Sequence, residues 1–204
     1  MKLYYSPGSC SLASHITLKE IGKPHEIEKV DIKAKKTEKG ADFWAINPKG
    51  YVPAIEVAPS QVLTEGAAIL QHLADSNPEA KLAPAAGTFE RARLNEWLTF
   101  ISSEFHKAFV PLFNPASSDD AKVGARANVE KRLAFLDKTI SDGRTYLTGK
   151  DFTIADAYAF VVTNWTNFVG IPLDPYPNLK AYQGRVAGRA AVQAAMKAEG
   201  LLAA

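Results

Sequence analysis

The fold is indicated first by residues 2–22, KLYYSPGSCSLASHITLKEIG. Lys2–Tyr5 is predicted to form a short β-strand, and the Ser-Pro-Gly-Ser stretch that follows is typical of a turn. Ser11–Ile21 favours a helix, which is expected to end at Gly22. Cys10 therefore stands between a turn and the start of a helix.

A cysteine in this position has two interpretations. The partial positive charge of a helix N-terminus stabilises a thiolate, which favours a reactive thiol. A free cysteine is also among the residues most often buried for structural reasons. Because Cys10 is the only cysteine in the chain, an internal disulfide and a cysteine-rich zinc site are excluded. The histidines have no metal-ligand spacing, and no metal is expected.

The rest of the first half alternates strands and helices. Glu26–Ile32 alternates polar and apolar residues and predicts a second strand. Ala54–Val57 and Gln61–Thr64 flank a turn and predict a hairpin. Glu65–Ala74 then predicts a helix, with Thr64 as its N-cap. The order βαβ, an irregular helical stretch, then ββα indicates a small α/β sheet.

The second half is predicted to be helical throughout. Apolar residues recur at helical spacing along Arg91–Phe109, and Asp119–Ile140 is rich in good helix formers. Thr153 and Asp156 have the spacing of a capping box that opens a further, apolar helix. Pro177–Met196 predicts one or two more helices.

The charge composition changes between these halves. Residues 1–80 contain nine lysines, no arginine and ten acidic residues, whereas residues 81–204 contain fifteen basic and twelve acidic residues. The change coincides with a stretch rich in proline and glycine. We therefore predict an α/β domain at 1–80, a linker at 81–87 and an all-helical domain at 88–204.

Several classes of function lack support. The net charge of +2 over 204 residues gives no footprint for a nucleic acid or a membrane surface. The N-terminus does not have the pattern of a secretory signal, and no apolar run approaches the roughly 20 residues of a membrane span. No GxxxxGK(S/T), GxGxxG, HExxH or GxSxG motif occurs. A soluble, cytoplasmic globular protein with one thiol is expected.

Two positions in the first half have both a plain and a functional interpretation. Pro53 either starts an edge strand as an ordinary trans proline, or forms a cis turn that frees the backbone of Val52 for a peptide-like ligand. Glu65 either caps a helix through the dipole or holds an ammonium group beside amides that hold a carboxylate.

A further polar group lies in the second half. Thr99, Ser103 and His106 are spaced to share one helical face. This face is either solvated or, if it looks across at the first domain, brings a histidine to a sulfur atom.

Several stretches, taken together and in order, resemble the bacterial beta-class glutathione transferases, and the resemblance runs from Met1 to Leu202. The stretches are Lys2–Leu12, Asn47–Pro53, Leu63–Gly66, Ser103–Lys107, Phe152–Tyr158 and Ala198–Leu201. The resemblance implies a thioredoxin-like N-terminal domain, an all-helical C-terminal domain and a two-fold homodimer. It also implies a detoxifying transferase that conjugates the glutathione thiolate to electrophilic hydrophobic substrates.

The resemblance assigns catalytic roles to two residues. Cys10 would face the glutathione sulfur, form a mixed disulfide with it and support thiol–disulfide exchange. His106 would approach the sulfur from the helical domain. Thr99 departs from the family pattern, which often has asparagine there, so it is left out of the predicted site. Tyr5 and Ser9 are expected to be spectators.

The resemblance also implies a set of glutathione-binding residues. Lys35 would meet the glycyl carboxylate, and Val52, before a cis Pro53, would pair with the cysteinyl backbone. Glu65 and Gly66 would hold the γ-glutamyl head. The complete set is Lys35, Val52, Pro53, Glu65, Gly66 and Ser103.

A second hypothesis keeps the fold without the chemistry. Because fold alone does not fix function, the chain could be a non-catalytic protein that binds glutathione or another ligand. For an enzyme, the electrophile is expected to contact helical-domain residues such as Phe109, Val110, Phe113 and Trp165, which are equally plausible as core. The sequence does not rank aromatic halides, peroxides, epoxides or disulfides as substrates.

Overall fold

The computed structural model describes residues 1–202, which form two compact units. The first unit contains residues 1–83 together with the segment from Gly188 onward, and the second contains Pro84–Ala187. The first unit is built on a sheet and the second is helical, so the predicted α/β plus all-α fold class is confirmed.

The first unit contains a five-stranded sheet in the order β3-β2-β1-β4-β5. Strands β1 and β2 are parallel, and the other neighbours are antiparallel. The strands are β1 Lys2–Tyr5, β2 Glu26–Asp31, β3 Lys36–Thr37, β4 Ala54–Ala58 and β5 Gln61–Thr64. The helices of this unit are α1 Ser11–Ile21, α2 Phe43–Ile46, α3 Gly66–Asp75 and α11 Ala190–Ala198. The short strand β3 and helix α2 fill the stretch for which the sequence predicted only irregular helical structure.

Both faces of the sheet are covered by apolar side chains. On one face, Leu3 and Ile55 pack with Leu18 of α1 and with Ile69 of α3. On the other face, a second cluster packs around Phe43, which is fully buried. The alternation of β1 between these clusters follows from the two-residue repeat of a strand.

The C-terminal helix α11 belongs to the sheet unit rather than to the helical one. It packs against α1, and Arg189 donates two hydrogen bonds to Glu20 at 2.7 and 3.0 Å. The division predicted from sequence, which placed all of residues 88–204 in the helical domain, therefore extends too far at its C-terminal end. The change in composition along the chain does not reveal that a segment near the C-terminus packs with the N-terminal domain.

The second unit consists of helices. They are α4 Phe89–Phe100, α5 His106–Ala108, α6 Val110–Phe113, α7 Asp119–Thr139, α8 Ile154–Asn164, α9 Thr166–Val169 and α10 Pro177–Ala187. Helix α8 is buried along almost its whole length, as its uniformly apolar sequence indicates. Within residues 1–202, none of the helices has both the length and the apolar character needed to cross a bilayer.

The single helix predicted over Arg91–Phe109 is interrupted. Residues Ile101–Phe105 form a π-helical turn, in which the amide of His106 donates to the carbonyl of Ile101, five residues earlier. The chain then continues as the short helices α5 and α6. A π-turn contains one more residue in each hydrogen-bonded ring than an α-turn. The spacing of the apolar residues does not predict it, because both kinds of turn bury the same types of side chain.

The predicted capping box at the start of α8 is present, and its carboxylate serves as a buried junction. Asp156 is fully buried and accepts hydrogen bonds from the Leu147 amide, the Thr153 amide and hydroxyl, and the Tyr182 hydroxyl, at 2.8–2.9 Å. Burial raises the pKa of Asp156, and these donors act in the opposite direction. One side chain thus joins the loop before α8, its first turn and α10.

Replacing Asp156 by alanine is expected to destabilise the protein by about 3 kcal/mol or more, because the donors around it lose their acceptor while staying buried. The control, Asp151→Ala, removes an exposed carboxylate five residues earlier and should cost less than about 0.5 kcal/mol. Urea denaturation of both variants measures the difference. Similar losses in the two variants would show that Asp156 is not the junction described.

Candidate functional site

Cys10 lies at the N-terminus of α1, as predicted. It is the N-cap residue of that helix and is partly exposed. Its Sγ lies 3.4 Å from the carbonyl oxygen of Val52, to which the thiol donates a hydrogen bond. The Val52–Pro53 peptide bond is cis. The structure therefore brings together the turn before Pro53 and the thiol, which are 42 residues apart in sequence.

The loop before Cys10 is fixed from the far end of the chain. The amide of Gly8 donates to Oε2 of Glu199 at 3.0 Å, and Oε1 of the same carboxylate lies 2.9 Å from Nδ1 of His15. The His15 and Glu199 side chains are fully buried. Sequence reasoning missed Glu199, because its role depends on α11 packing against α1. The contacts of Glu199 with Gly8 and His15 hold the loop before Cys10 against helix α1.

Glu65 adopts an unusual backbone conformation at the start of α3. Its φ of +71° lies in the left-handed region, which side chains other than glycine rarely adopt. Glu65, and not Thr64 as predicted, is the N-cap residue, so the helix starts at Gly66. A Cβ at Gly66 would come within 3.8 Å of Pro53, so this helix start adjoins the cis turn.

Two residues that the sequence analysis did not single out bind the Glu65 carboxylate. Lys49 Nζ forms an ion pair with Oε1, and the Tyr51 hydroxyl donates to the same oxygen at 2.6 Å. The hairpin register contains a signal for this arrangement. Since Ala54 pairs with Thr64, residues just before Ala54 must lie beside residues just after Thr64.

Lys35 binds the start of the same turn. Its Nζ donates to the carbonyl of Gly50 at 2.6 Å and lies 5.3 Å from the centre of the Trp44 ring. The Trp44 side chain is about half exposed at 48%. The ammonium of Lys35 is thus held close to the segment that leads into the Cys10 contact.

His106 belongs to the helical unit and is half-buried there. Its Nδ1 lies 2.9 Å from the hydroxyl of Tyr158, and its ring packs edge-on to Trp165 with centroids 4.6 Å apart. Burial lowers the pKa of His106 to about 4, and the neighbouring Lys107 acts in the same direction. The imidazole is therefore neutral at pH 7.

The polar face predicted for Thr99, Ser103 and His106 does not form as one surface. The hydroxyls of Thr99 and Ser103 are exposed and donate to carbonyls four residues earlier in the chain. The π-helical turn Ile101–Phe105 lies between Thr99 and His106, and His106 contacts the side chains of Tyr158 and Trp165. This correction separates the environments of Ser103 and His106.

The aromatic residues expected to meet an electrophile form a cluster in the helical unit. Trp165 contacts the rings of Phe109 and Phe113, with centroids 5.6 Å apart in each pair. Phe109 is fully buried, whereas the side chains of Phe113 and Val110 are almost half exposed at 47% and 49%. Phe109 is core, and the exposed members leave an apolar surface.

Most of the predicted site residues are thus gathered in the sheet unit. Those that lie around the turn and the start of α3 are Cys10, Lys35, Val52, Pro53, Glu65 and Gly66. Ser103 and His106 belong to the helical unit. Among residues 1–202, no three histidine, cysteine, aspartate or glutamate side chains are grouped so as to hold a metal ion.

Comparison with known proteins identifies the family. Residues 8–76 match the model of the glutathione S-transferase N-terminal domain, and residues 100–190 match that of the C-terminal domain. The chain is 44% identical over 201 residues to the glutathione S-transferase GstA of Escherichia coli O157:H7, a match that covers 98% of this chain and 100% of that relative. The chain belongs to the glutathione S-transferase family. The prediction of a glutathione transferase is thereby confirmed at the level of the family.

Solved structures agree with this assignment. A bacterial beta-class glutathione S-transferase of Sphingomonas chungbukensis is 51% identical, with a TM-score of 0.96 over 99% of this chain and 100% of that one. A sphingomonad glutathione S-transferase complexed with glutathione is also 51% identical, with a TM-score of 0.95 over the same shares. The resemblance to the beta class and the thioredoxin-like N-terminal fold are confirmed.

Gly50 offers a test of the Trp44–Lys35 arrangement. Its φ is +67°, and a Cβ there would lie 2.6 Å from the Trp44 ring. Gly40 has a φ of +86° with open space around it, so Gly40→Ala should cost only the backbone term of about 1–2 kcal/mol. Gly50→Ala should cost more, because the indole must move. In urea denaturation, adding Trp44→Ala should remove this excess, and strict additivity of the two substitutions would contradict the contact.

The lowered pKa of His106 predicts a pH dependence of stability. Between pH 6.5 and 4, His106 is protonated in the unfolded chain and neutral in the folded one. Its contribution to the unfolding free energy is therefore fully present above pH 6.5 and is lost on acidification towards pH 4. The loss from this group is expected to approach about 2–3 kcal/mol near pH 4. The unfolding free energy of His106→Asn should fall less steeply over this range than that of the wild type. His72→Asn is the matched control. If the unfolding free energies of His106→Asn and the wild type have the same pH dependence, His106 is not its source.

Proposed function

We propose that the sheet unit binds glutathione along the turn between Gly50 and Pro53, and that the protein conjugates its thiolate to electrophilic hydrophobic substrates. The observation that carries this proposal is the 3.4 Å contact between Cys10 Sγ and the Val52 carbonyl. It places a thiol beside a backbone segment suited to the cysteinyl part of a peptide. The glutathione complex of a sphingomonad glutathione S-transferase with 51% identity supports the choice of ligand.

The ends of glutathione fit two charged groups near this turn. The Lys35 ammonium, held at the Gly50 carbonyl, suits the glycyl carboxylate. The Glu65 carboxylate suits the γ-glutamyl ammonium, and the amides at the start of α3 suit the α-carboxylate. These assignments leave the glutathione sulfur close to Cys10.

In conjugation, the glutathione thiolate attacks an electrophilic carbon and forms a thioether, while the leaving group departs or an epoxide opens. We assign His106 to this step as a neutral hydrogen-bond partner of the sulfur, since an imidazole with a pKa of about 4 carries no charge at pH 7. The exposed apolar side chains of Val110 and Phe113 are candidates for contact with the electrophile. Ser103 is assigned to glutathione through its exposed hydroxyl.

The same site is proposed to carry out thiol–disulfide exchange. The Cys10 thiolate attacks the glutathione sulfur of a disulfide between glutathione and a substrate thiol, Cys10 forms a mixed disulfide with glutathione, and the substrate thiolate leaves. A second glutathione thiolate then attacks the mixed disulfide, which regenerates Cys10 and oxidised glutathione. The partial positive charge at the start of α1 favours the attacking thiolate.

The family resemblance extends the proposal to a two-fold homodimer that acts in the cytoplasm and contributes to detoxification. The alternative is a protein that binds glutathione without chemistry. The partly exposed position of Cys10 beside the Val52 turn favours the enzyme, because a purely structural cysteine needs no access to solvent.

Incubation with oxidised glutathione, followed by intact mass measurement, tests the role of Cys10. We expect the wild type to gain one glutathione, which is lost again on reduction, because the thiol is accessible and lies at the binding turn. Cys10→Ser, which keeps the side-chain shape, should gain none and should lose disulfide reductase activity.

The outcomes separate the two functions. A wild type that binds glutathione and conjugates it without forming the adduct would refute the exchange reaction and leave conjugation to glutathione and His106. A protein that binds glutathione but shows neither reaction would support the non-catalytic alternative.

A further inference from the structure

One oxygen of the Glu65 carboxylate accepts hydrogen bonds from two side chains. Lys49 and Tyr51 both bind Oε1, and Lys49 Nζ also lies 3.0 Å from the Thr64 hydroxyl oxygen. We call Lys49, Tyr51, Thr64 and Glu65 the corner cluster. The Lys49 and Glu65 side chains are 46% and 55% exposed, so both ends of the ion pair meet solvent.

The corner cluster already contains an ammonium where the proposed function requires one. The γ-glutamyl head of glutathione carries an ammonium and a carboxylate on the same carbon. To pair with Glu65, the ligand ammonium must compete with Lys49 for the single negative charge of this carboxylate. The displaced Lys49 would lose the Glu65 carboxylate as its ion-pair partner. It would then lie beside the carboxylate of the ligand.

We propose that Lys49 is a specificity-determining residue. When glutathione binds, the Lys49 ammonium exchanges its partner, from the Glu65 carboxylate to the α-carboxylate of the γ-glutamyl head. This inference rests on the proposed function. It adds to it a reason why the site selects a head group that carries both charges. A zwitterion replaces one ion pair by two, whereas a head with a single charge leaves a protein charge without a partner.

The chemistry of the corner cluster suits such an exchange. An exposed ion pair is worth little in water, so Lys49 can leave Glu65 at small cost, and its flexible four-carbon stem allows the ammonium to move. The hydrogen bond to Glu65 raises the pKa of Lys49 and that of Tyr51. Lys49 therefore stays charged and Tyr51 stays a donor at neutral pH. Tyr51 can keep Glu65 in place while the cations exchange.

Two glutathione analogues separate the charges. Glutaryl-cysteinylglycine keeps the terminal carboxylate and lacks the ammonium, whereas 4-aminobutyryl-cysteinylglycine keeps the ammonium and lacks the α-carboxylate. Dissociation constants of glutathione and of both analogues are to be measured by calorimetry for the wild type and for Lys49→Met. The substitution keeps most of the length of the side chain and removes its charge.

We expect Lys49→Met to change the two affinities in opposite directions. The carboxylate analogue should bind roughly two- to fivefold more weakly, because it loses its cation, and the ammonium analogue roughly two- to fivefold more tightly, because Glu65 is no longer occupied. The ratio of the two dissociation constants should therefore change by about tenfold, while glutathione itself changes less than either analogue. Lys49→Arg keeps the charge and should preserve the wild-type ratio.

A second variant controls for overall charge. Lys19→Met removes one positive charge from the last turn of α1, at the other end of that helix from Cys10, and should leave the ratio unchanged. An unchanged ratio in Lys49→Met, or an equal shift of both analogues in one direction, would overturn the proposal for Lys49. A wild type that does not bind glutathione would instead overturn the proposed function, and the role of Lys49 with it.

Discussion

The packing of α1 between the sheet and the C-terminal helix α11 is the constraint on which the site depends. Every residue from Ser11 to Leu18 is buried, so packing on all sides fixes the position of this part of the helix. Glu199 adds a fixed point, since it binds the loop through Gly8 and the helix through His15. Cys10 is therefore positioned by contacts on both sides, and its sulfur meets the Val52 carbonyl as a result.

Local signals predicted the parts of the fold that are locally determined. The strand–turn–helix at the N-terminus, the hairpin and the Thr153–Asp156 capping box each depend on residues within a few positions of one another, and each is present. Cys10 and Pro53 were identified by their type and by family resemblance. The contact between Cys10 and Val52 required the fold, because 42 residues separate them in sequence.

The features that escaped prediction have non-local causes. Helix α11 looks like any other helix in sequence, and only its packing against α1 assigns it to the sheet unit. Lys49 and Tyr51 belong to an exposed loop in sequence and acquire a role through the pairing of β4 with β5. Glu65 caps its helix with a left-handed backbone because the chain must turn there from strand to helix. Composition and periodicity carry no information on such contacts.

The π-helical turn makes the length of its segment a structural variable in its own right. Each residue of a helix advances the side-chain direction by about 100°, so the extra residue between Ile101 and His106 sets the direction in which everything after it points. A regular α-helix over the same residues would aim the imidazole in a direction other than toward Tyr158 and Trp165. In this helix, chain length at one turn, and not only the choice of side chain, determines that the histidine is partly shielded and neutral.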